Sequence, residues 1–185
     1  MVVKVGGSLF DLEGLGHRLA AWLGTLVPQR VVLVPGGGPF ANVIRQLDAQ
    51  HGLGEETSHQ LAMASLTLAA RFLAAVVPRA VAVDTLSACL RLWQEGHIPV
   101  LDPVQILIGE ADGGSPHTWE TTSDSIAARI ASVAGARLLI LLKSVSLPGE
   151  MGWEEAALRG YVDRWFAGQI DGSFEVRFIN FRLLP

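Results

Sequence analysis

Val2-Val3-Lys4-Val5-Gly6-Gly7-Ser8 opens the chain with a short β-branched apolar run that passes directly into two glycines and a hydroxyl. Such a run, punctuated at once by glycine, reads as a strand feeding a tight turn. Leu12, Leu15, Leu19, Trp22, Leu23 and Leu26 then recur at helical spacing. The same grammar repeats immediately. Arg30 to Val34 is a second strand, Pro35-Gly36-Gly37-Gly38-Pro39 is its turn, and Phe40, Val43, Ile44 and Leu47 fall on one face of the following helix. Alternation of strand, turn and helix is the pattern of a parallel α/β sheet.

Working outward, the periodicity predicts a long helix from about Ser58 to Val76, carrying Leu61, Ser65, Leu68 and Phe72 and ended by Pro78. Ala80 to Val83 reads as a third strand. Asp84 or Thr85 caps a helix through Leu86, Leu90 and Trp93, which Gly96 terminates. Ile98 to Leu101 is a fourth strand, and residues 109–116 form a Gly-rich polar loop. Thr122 or Ser123 caps a helix reaching Ala134, and Leu138 to Leu142 is the fifth strand. Ser144 to Trp153 reads as loop and Glu154 to Arg159 as a short helix. Phe174 to Leu183 alternates apolar and polar residues and is expected at a sheet edge. No internal repeat or linker interrupts the chain, so one domain is expected.

Composition narrows the function classes. The chain has 185 residues, 50% hydrophobic and 17% charged, with a net charge of −4 and a mean hydropathy of +0.37. A chain this apolar collapses, which excludes disorder. No basic stripe is present, so nucleic acid is not an expected partner. No apolar run reaches the roughly 18 residues of a membrane span, no signal-peptide layout is seen, and Cys89 is the single cysteine. A disulfide framework and a cysteine zinc site are thereby excluded, and a cytoplasmic location is expected.

The basic residues carry a sharper signal: 12 of the 14 are Arg, and Lys occurs only at positions 4 and 143. Both lysines end apolar runs beside Gly or Ser. A strand-end lysine can simply snorkel, but a compact ammonium is also a point charge suited to phosphoryl oxygens. Ligands of open parallel sheets bind at the carboxyl ends of the strands, where three turns should converge. Gly6, Gly7 and Ser8 offer backbone donors and a hydroxyl to phosphate, and Gly36 to Gly38 do so at a helix N-terminus. The latter contains Gly-x-Gly-x-x-Ala, yet a long helix stands where a dinucleotide site needs a strand with an acidic end. The third turn, His117-Thr118-Trp119-Glu120-Thr121-Thr122-Ser123-Asp124, places Asp124 in a first helical turn. There it suits the helix dipole or holds the two ammonium groups.

Together, Val3 to Ser8, the Pro35 to Pro39 turn and Thr122 to Ala127 resemble three signatures of the amino acid kinase superfamily, over about residues 1 to 145. The resemblance implies an open αβα sandwich with a mainly parallel central sheet, binding ATP with Mg2+ and transferring the γ-phosphoryl group to a carboxylate, carbamate or phosphate. It implies that Lys4 stabilises the transferring group, that Gly6, Gly7 and Ser8 hold ATP phosphates, that Gly36, Gly37 and Gly38 cradle the acceptor, and that Asp124 organises the lysines. It also implies an acceptor part over residues 1–110 and a nucleotide part over 111–185. The chain departs from the family in the last of these, which is short and lacks the expected lysine. Lys143-Ser144-Val145 resembles the strand-end lysine of uridylate-kinase-like members, and Lys143 serves there either as the second cation or as a nucleotide contact. Arg159 or Arg164 is the alternative source of charge.

Ser58-His59-Gln60-Leu61-Ala62-Met63-Ala64, Ile98 to Pro103 and Pro116 to Trp119 are similar to the compact kinases of methanofuran cofactor biosynthesis, which phosphorylate an aminomethylfuran-methanol phosphate. For such an acceptor Trp119 stacks on the furan, and His59 and His117 bind phosphate or ring substituents. Asn42, Met63, Thr122 and Ser123 complete the expected acceptor site, with Asp102 or Asp112 near an aminomethyl group. Another small acceptor (isopentenyl phosphate, a nucleoside monophosphate, an amino acid) and a noncatalytic nucleotide sensor remain as alternatives. The apolar helix near Leu61 to Val76 points to a homodimer or a higher homo-oligomer, with no nucleic acid or membrane partner expected.

Overall fold

The computed structural model describes residues 1–26, 30–104, 106 and 123–184. Six strands form one sheet in the order β3-β4-β2-β1-β5-β6: β1 (Val2–Val5), β2 (Val32–Pro35), β3 (Ala80–Val83), β4 (Ile98–Leu101), β5 (Leu138–Lys143) and β6 (Glu175–Asn180). Every pairing is parallel, so the sheet is fully rather than mainly parallel. The helices are α1 (Leu15–Gly24), α2 (Gly38–His51), α3 (Glu55–Val76), α4 (Leu86–Gln94), α5 (Ser123–Val133) and α6 (Trp153–Leu158).

Differences from the expected boundaries have local causes. The long helix starts at Glu55, three residues early, because Gly54 turns the chain at φ 83 and Glu55 and Glu56 suit the positive end of the dipole. Thr85, not Asp84, caps α4 by accepting from the Ala88 N–H. The edge strand ends at Asn180, whose side chain accepts from the Arg182 N–H and opens a short 3-10 turn over Phe181–Leu183. The expected loop at 109–116, together with Asp112, His117, Trp119 and Thr122, lies outside the described residues.

Strand alternation sorts the core into two layers and also positions the site. Val3, Val5, Leu33, Ile140 and Leu142 face α1 and the C-terminal half of α3, with Leu15, Leu19 and Leu73. Val2, Val34, Leu139 and Leu141 face α5, with Ile126 and Ile130. Each of these fully buried aliphatics contributes about 1.5–3 kcal/mol. Because side chains alternate with period two, Lys4 shares the face of Val2, and Lys143 shares that of Leu139 and Leu141. Both lysines therefore point toward α5, from neighbouring strands in register (Val5 opposite Leu142).

α3 is long and apolar enough to cross a membrane by length and composition alone. It packs along β2, β3 and β4 and so belongs to this α/β layer. The strand order reverses direction at β1, whose flanks are β2 and β5. That switch point opens a crevice above the carboxyl ends of these three strands.

Candidate active site

The crevice is a cleft of about 690 Å³, within the usual range for small-molecule sites. Lys4, Gly7, Ser8, Gly37, Gly38, Asn42, His59, Met63, Ser123, Asp124, Lys143 and Ser144 all line it. Three turns spread over more than a hundred residues of chain thus meet at one place.

Asp124 is the centre of the charge arrangement. It sits in the first turn of α5 and is only 3% exposed. Lys143 Nζ donates to Oδ2 at 2.6 Å. Lys4 Nζ lies 2.8 Å from Oδ1, as an ion pair without the alignment of a hydrogen bond. Burial alone would raise the Asp124 carboxyl, but the Lys4 and Lys143 ammoniums more than reverse this and hold it below its ordinary range. For Lys143, burial and then the Lys4 charge push the pKa down from 10.5 to about 8, against the pull of Asp124 and Asp163. Lys143 also donates to the Tyr161 carbonyl at 2.9 Å and lies over the Phe178 ring.

The two glycine turns pack directly on each other. A Cβ on Gly7 would sit 2.1 Å from the Gly38 nitrogen, and one on Gly38, at φ 54, would sit 2.7 Å from the Gly7 carbonyl oxygen. Neither backbone can retreat, so both positions require glycine for the turns to touch at all. Behind them Phe10, Phe40 and Phe72 stack at 5.0 to 6.2 Å between centroids. One ring follows each turn and the third comes from α3, so an apolar wedge fixes the two turns relative to each other.

Several expected contributors are placed differently. The Gly6 N–H donates to the Leu142 carbonyl and the Gly36 N–H to the Val5 carbonyl, both at 2.8 Å. These two amides extend the sheet, and neither residue lines the cleft. The remaining cradle is Gly7-Ser8 and Gly37-Gly38. Val145 is half-exposed and outside the lining. Arg159 and Arg164 do not line the cleft either; Arg159 pairs with Glu155 at 2.6 Å on exposed α6. Asp102 accepts from the Val104 N–H, which closes a local turn.

Other residues reach the cleft without any signal in the sequence. Arg182 and Asp11 meet beside Ser8, and Arg45 lines the opposite side with its Nη1 on the Asn42 side chain at 2.9 Å. Asp163 accepts from the Ser125 N–H at 2.9 Å and from the Ser125 hydroxyl, binding the loop after α6 to the first turn of α5. No motif spacing links position 163 to 125, and only the tertiary fold brings them together.

Among the described residues no three His, Cys, Asp or Glu side chains gather to hold a metal, and both Asp124 oxygens face ammoniums.

The site thus combines an open parallel sheet with two glycine turns over a lysine–aspartate–lysine cluster. The family model described as the amino acid kinase family matches residues 1–146, and the chain belongs to that family. It is 32% identical over 145 residues to the [5-(aminomethyl)furan-3-yl]methyl phosphate kinase of Methanocaldococcus jannaschii; the match covers 78% of this chain and 65% of that protein. The chain thus spans less than two thirds of that relative's length. Among solved structures, it is similar to the uridylate kinase from Archaeoglobus fulgidus, with a TM-score of 0.67, 18% identity, and 96% of this chain and 89% of that one covered. The UMP kinase from Ureaplasma parvum gives a TM-score of 0.64 at 12% identity, covering 97% and 88%. At these identities the structural likeness speaks for the fold.

Proposed function

We propose that the chain is a small-molecule kinase that transfers the γ-phosphoryl group of ATP to a phosphomonoester, the phosphate of an aminomethylfuran-methanol. The observation that carries this reading is the convergence of the only two lysines on one buried carboxylate beneath two glycine turns. The relative from Methanocaldococcus jannaschii supports the acceptor.

In this reading Gly7, Ser8 and Ser144 receive the nucleotide phosphates, and Gly37 and Gly38, at the N-terminus of α2, receive the acceptor anion. Arg45, His59, Asn42, Met63 and Ser123 line the cleft and are read as its acceptor side; His117, Trp119 and Thr122 are acceptor candidates from the sequence, outside the described residues. An acceptor phosphate oxygen attacks the γ-phosphorus in line, and the bond to the β,γ-bridging oxygen breaks with its electron pair leaving on ADP. Lys4 and Lys143 neutralise charge on the transferring group, and Asp124 orients both ammoniums. Catalysis is positioning and charge compensation rather than covalent chemistry by the protein. Magnesium bound to the nucleotide phosphates would supply further charge neutralisation there.

Residues 1–110 form the acceptor part and 111–185 the nucleotide part of one domain in this reading. The outer faces of α2 and α3 leave Val43, Leu47, Leu61 and Leu68 exposed, which supports a homodimer through these helices. The protein acts in the cytoplasm.

Phosphorus NMR of the purified chain with Mg-ATP and the furan phosphate tests the proposal. New diphosphate resonances with stoichiometric ADP are expected. Unchanged ATP would remove that acceptor; ATP binding without turnover on a panel of phosphates and carboxylates would make the protein a sensor.

A further inference from the structure

We propose that Arg182 binds the polyphosphate of the nucleotide, delivered to the cleft by the C-terminal segment. The inference rests on the reading that the nucleotide lies at the first glycine turn, and it identifies the cation that completes that end of the site.

After Lys143 the chain contains no lysine, and Lys143 itself is held in the cleft by Asp124 and the Tyr161 carbonyl. The two lysines and one carboxylate leave a net charge of one, which does not balance even a nucleoside triphosphate whose charge a divalent cation has partly neutralised. A further cation is needed at the donor end, and the backbone provides an address for it. The Arg182 guanidinium donates to the Ser8 carbonyl at 2.8 Å and pairs with Asp11. The Ser8 hydroxyl lies 2.9 Å from that of Ser144. Arg182 therefore stands at the junction of the two turns that flank the lysines, and it lines the cleft with them.

The segment carrying it is fastened on both sides. Before it, Asn180 accepts from the Arg182 N–H at 3.1 Å and donates to Ser146 at 3.0 Å. Phe181 is buried edge-on against Trp22. After it, the Leu184 carbonyl accepts from Arg18 at 2.6 Å, and the Arg18 guanidinium also lies over Phe181. A residue anchored at i−2, i−1 and i+2 has a fixed Cα, while its long side chain stays free to choose partners.

Its present carboxylate partner is a weak one. The Asp11 side chain is 73% exposed, and exposed pairs are worth about 0–1 kcal/mol. A phosphate dianion offers the planar guanidinium a bidentate match of higher charge. Arriving phosphate oxygens displace Asp11 at little cost, while the bond to the Ser8 carbonyl keeps the guanidinium in place.

The test is calorimetric titration of the full chain with Mg-ATP at several KCl concentrations. The variants are Arg182→Ala, Arg182→Gln as a second variant that keeps the stem, and Arg159→Ala as a surface control. Arg182→Ala or Arg182→Gln is expected to weaken Mg-ATP binding about tenfold, the loss of one charge-assisted contact. The salt dependence should become shallower, because one screened ion contact is gone. Arg159→Ala should match the wild type. Unchanged affinity, or weaker binding with the original salt dependence, would overturn the proposal, since a merely structural role alters affinity without altering ionic contacts. Wild-type protein that fails to bind Mg-ATP would overturn it as well. Phosphoryl transfer by the wild type, with unaltered Mg-ATP affinity in the Arg182 variants, would leave the kinase reading standing and remove this one.

Discussion

Raising the pH through 8 should make this protein less active and more stable at the same time. Lys143 holds its proton with a pKa of about 8 instead of 10.5, first through burial and then through the Lys4 charge. One unit above that value about a tenth of Lys143 remains charged, so a reaction that needs its cation should slow about tenfold by pH 9. The stability effect has the opposite sign. Between about 8 and 10.5 the unfolded chain keeps a Lys143 proton that the folded chain has released, so the unfolded state binds more protons and stability rises with pH. The gain is about 1.4 kcal/mol per pH unit, or about 3–6 °C in melting temperature for a chain of this size. Two other groups bound the window. Burial lowers the Met1 amine from 8.0, so its own contribution still rises at pH 8 and levels off about a unit above it. Burial raises the Cys89 thiol from 9.0 to about 11, so from pH 9 the folded state retains a proton the unfolded state loses, and stability is withdrawn again. Between pH 8 and 9 these two contributions have opposite signs, so the Lys143 slope dominates there. Urea midpoints and initial rates measured on the same samples across this interval provide the assay, with Lys143→Met expected to flatten the stability slope. A rate that stays level through pH 9, or one that falls together with stability, would refute the reasoning.

Three further outcomes are expected. Asp124→Asn leaves two buried ammoniums without their carboxylate, and should lower stability by about 3–5 kcal/mol in urea titration while abolishing phosphoryl transfer; an unchanged midpoint would contradict the ion-pair account. Gly7→Ala drives a Cβ to 2.1 Å from the Gly38 nitrogen and should cost more than about 2 kcal/mol. Gly24→Ala, with open space around it at the end of α1, should be neutral or stabilising by up to about 1 kcal/mol, and equal effects for the two would show that the turns are not in contact. Leu68→Glu, on the exposed face of α3, should shift a dimer to monomer in sedimentation velocity, and a wild-type chain that sediments as a monomer would remove that interface.

The sheet was legible because its strands are short apolar runs cut off by glycine or proline. β3 and β4 coincide with the runs Ala80–Val83 and Ile98–Leu101, and the first five assignments in chain order follow from composition plus punctuation. The convergence of Lys4 and Lys143 was legible for a related reason: both end strands, and carboxyl ends of parallel strands share one rim. What the glycines do was less legible. Gly6 and Gly36 look like phosphate donors in sequence, yet their N–H groups finish sheet ladders, and Gly7 and Gly38 are needed for backbone contact between turns. A sequence displays the absence of a side chain, but not what occupies the space. Arg182 and Asp163 were invisible because their partners, Ser8 and Ser125, lie 174 and 38 residues away on elements whose adjacency only the sheet order creates.

The arginine bias of the chain acquires a physical reason from this geometry. Asp124 presents two oxygens in a space that leaves its side chain 5% exposed, and each oxygen takes one compact ammonium, with Lys4 5% and Lys143 13% exposed. A guanidinium is planar, larger and fixed in charge. Two of them around one buried carboxylate would need more room and more acceptors than this rim offers, and neither could release a proton near pH 8 as Lys143 does. Arginine suits Arg182 instead, at a more exposed part of the cleft, where Nη2 holds the Ser8 carbonyl and an exposed carboxylate together and the rest of the guanidinium extends the reach of the charge. Placing lysine where charge must be compact, and arginine where it must reach, separates a buried charge cluster from the more open edge of the cleft. The sequence records that division as two lysines among twelve arginines.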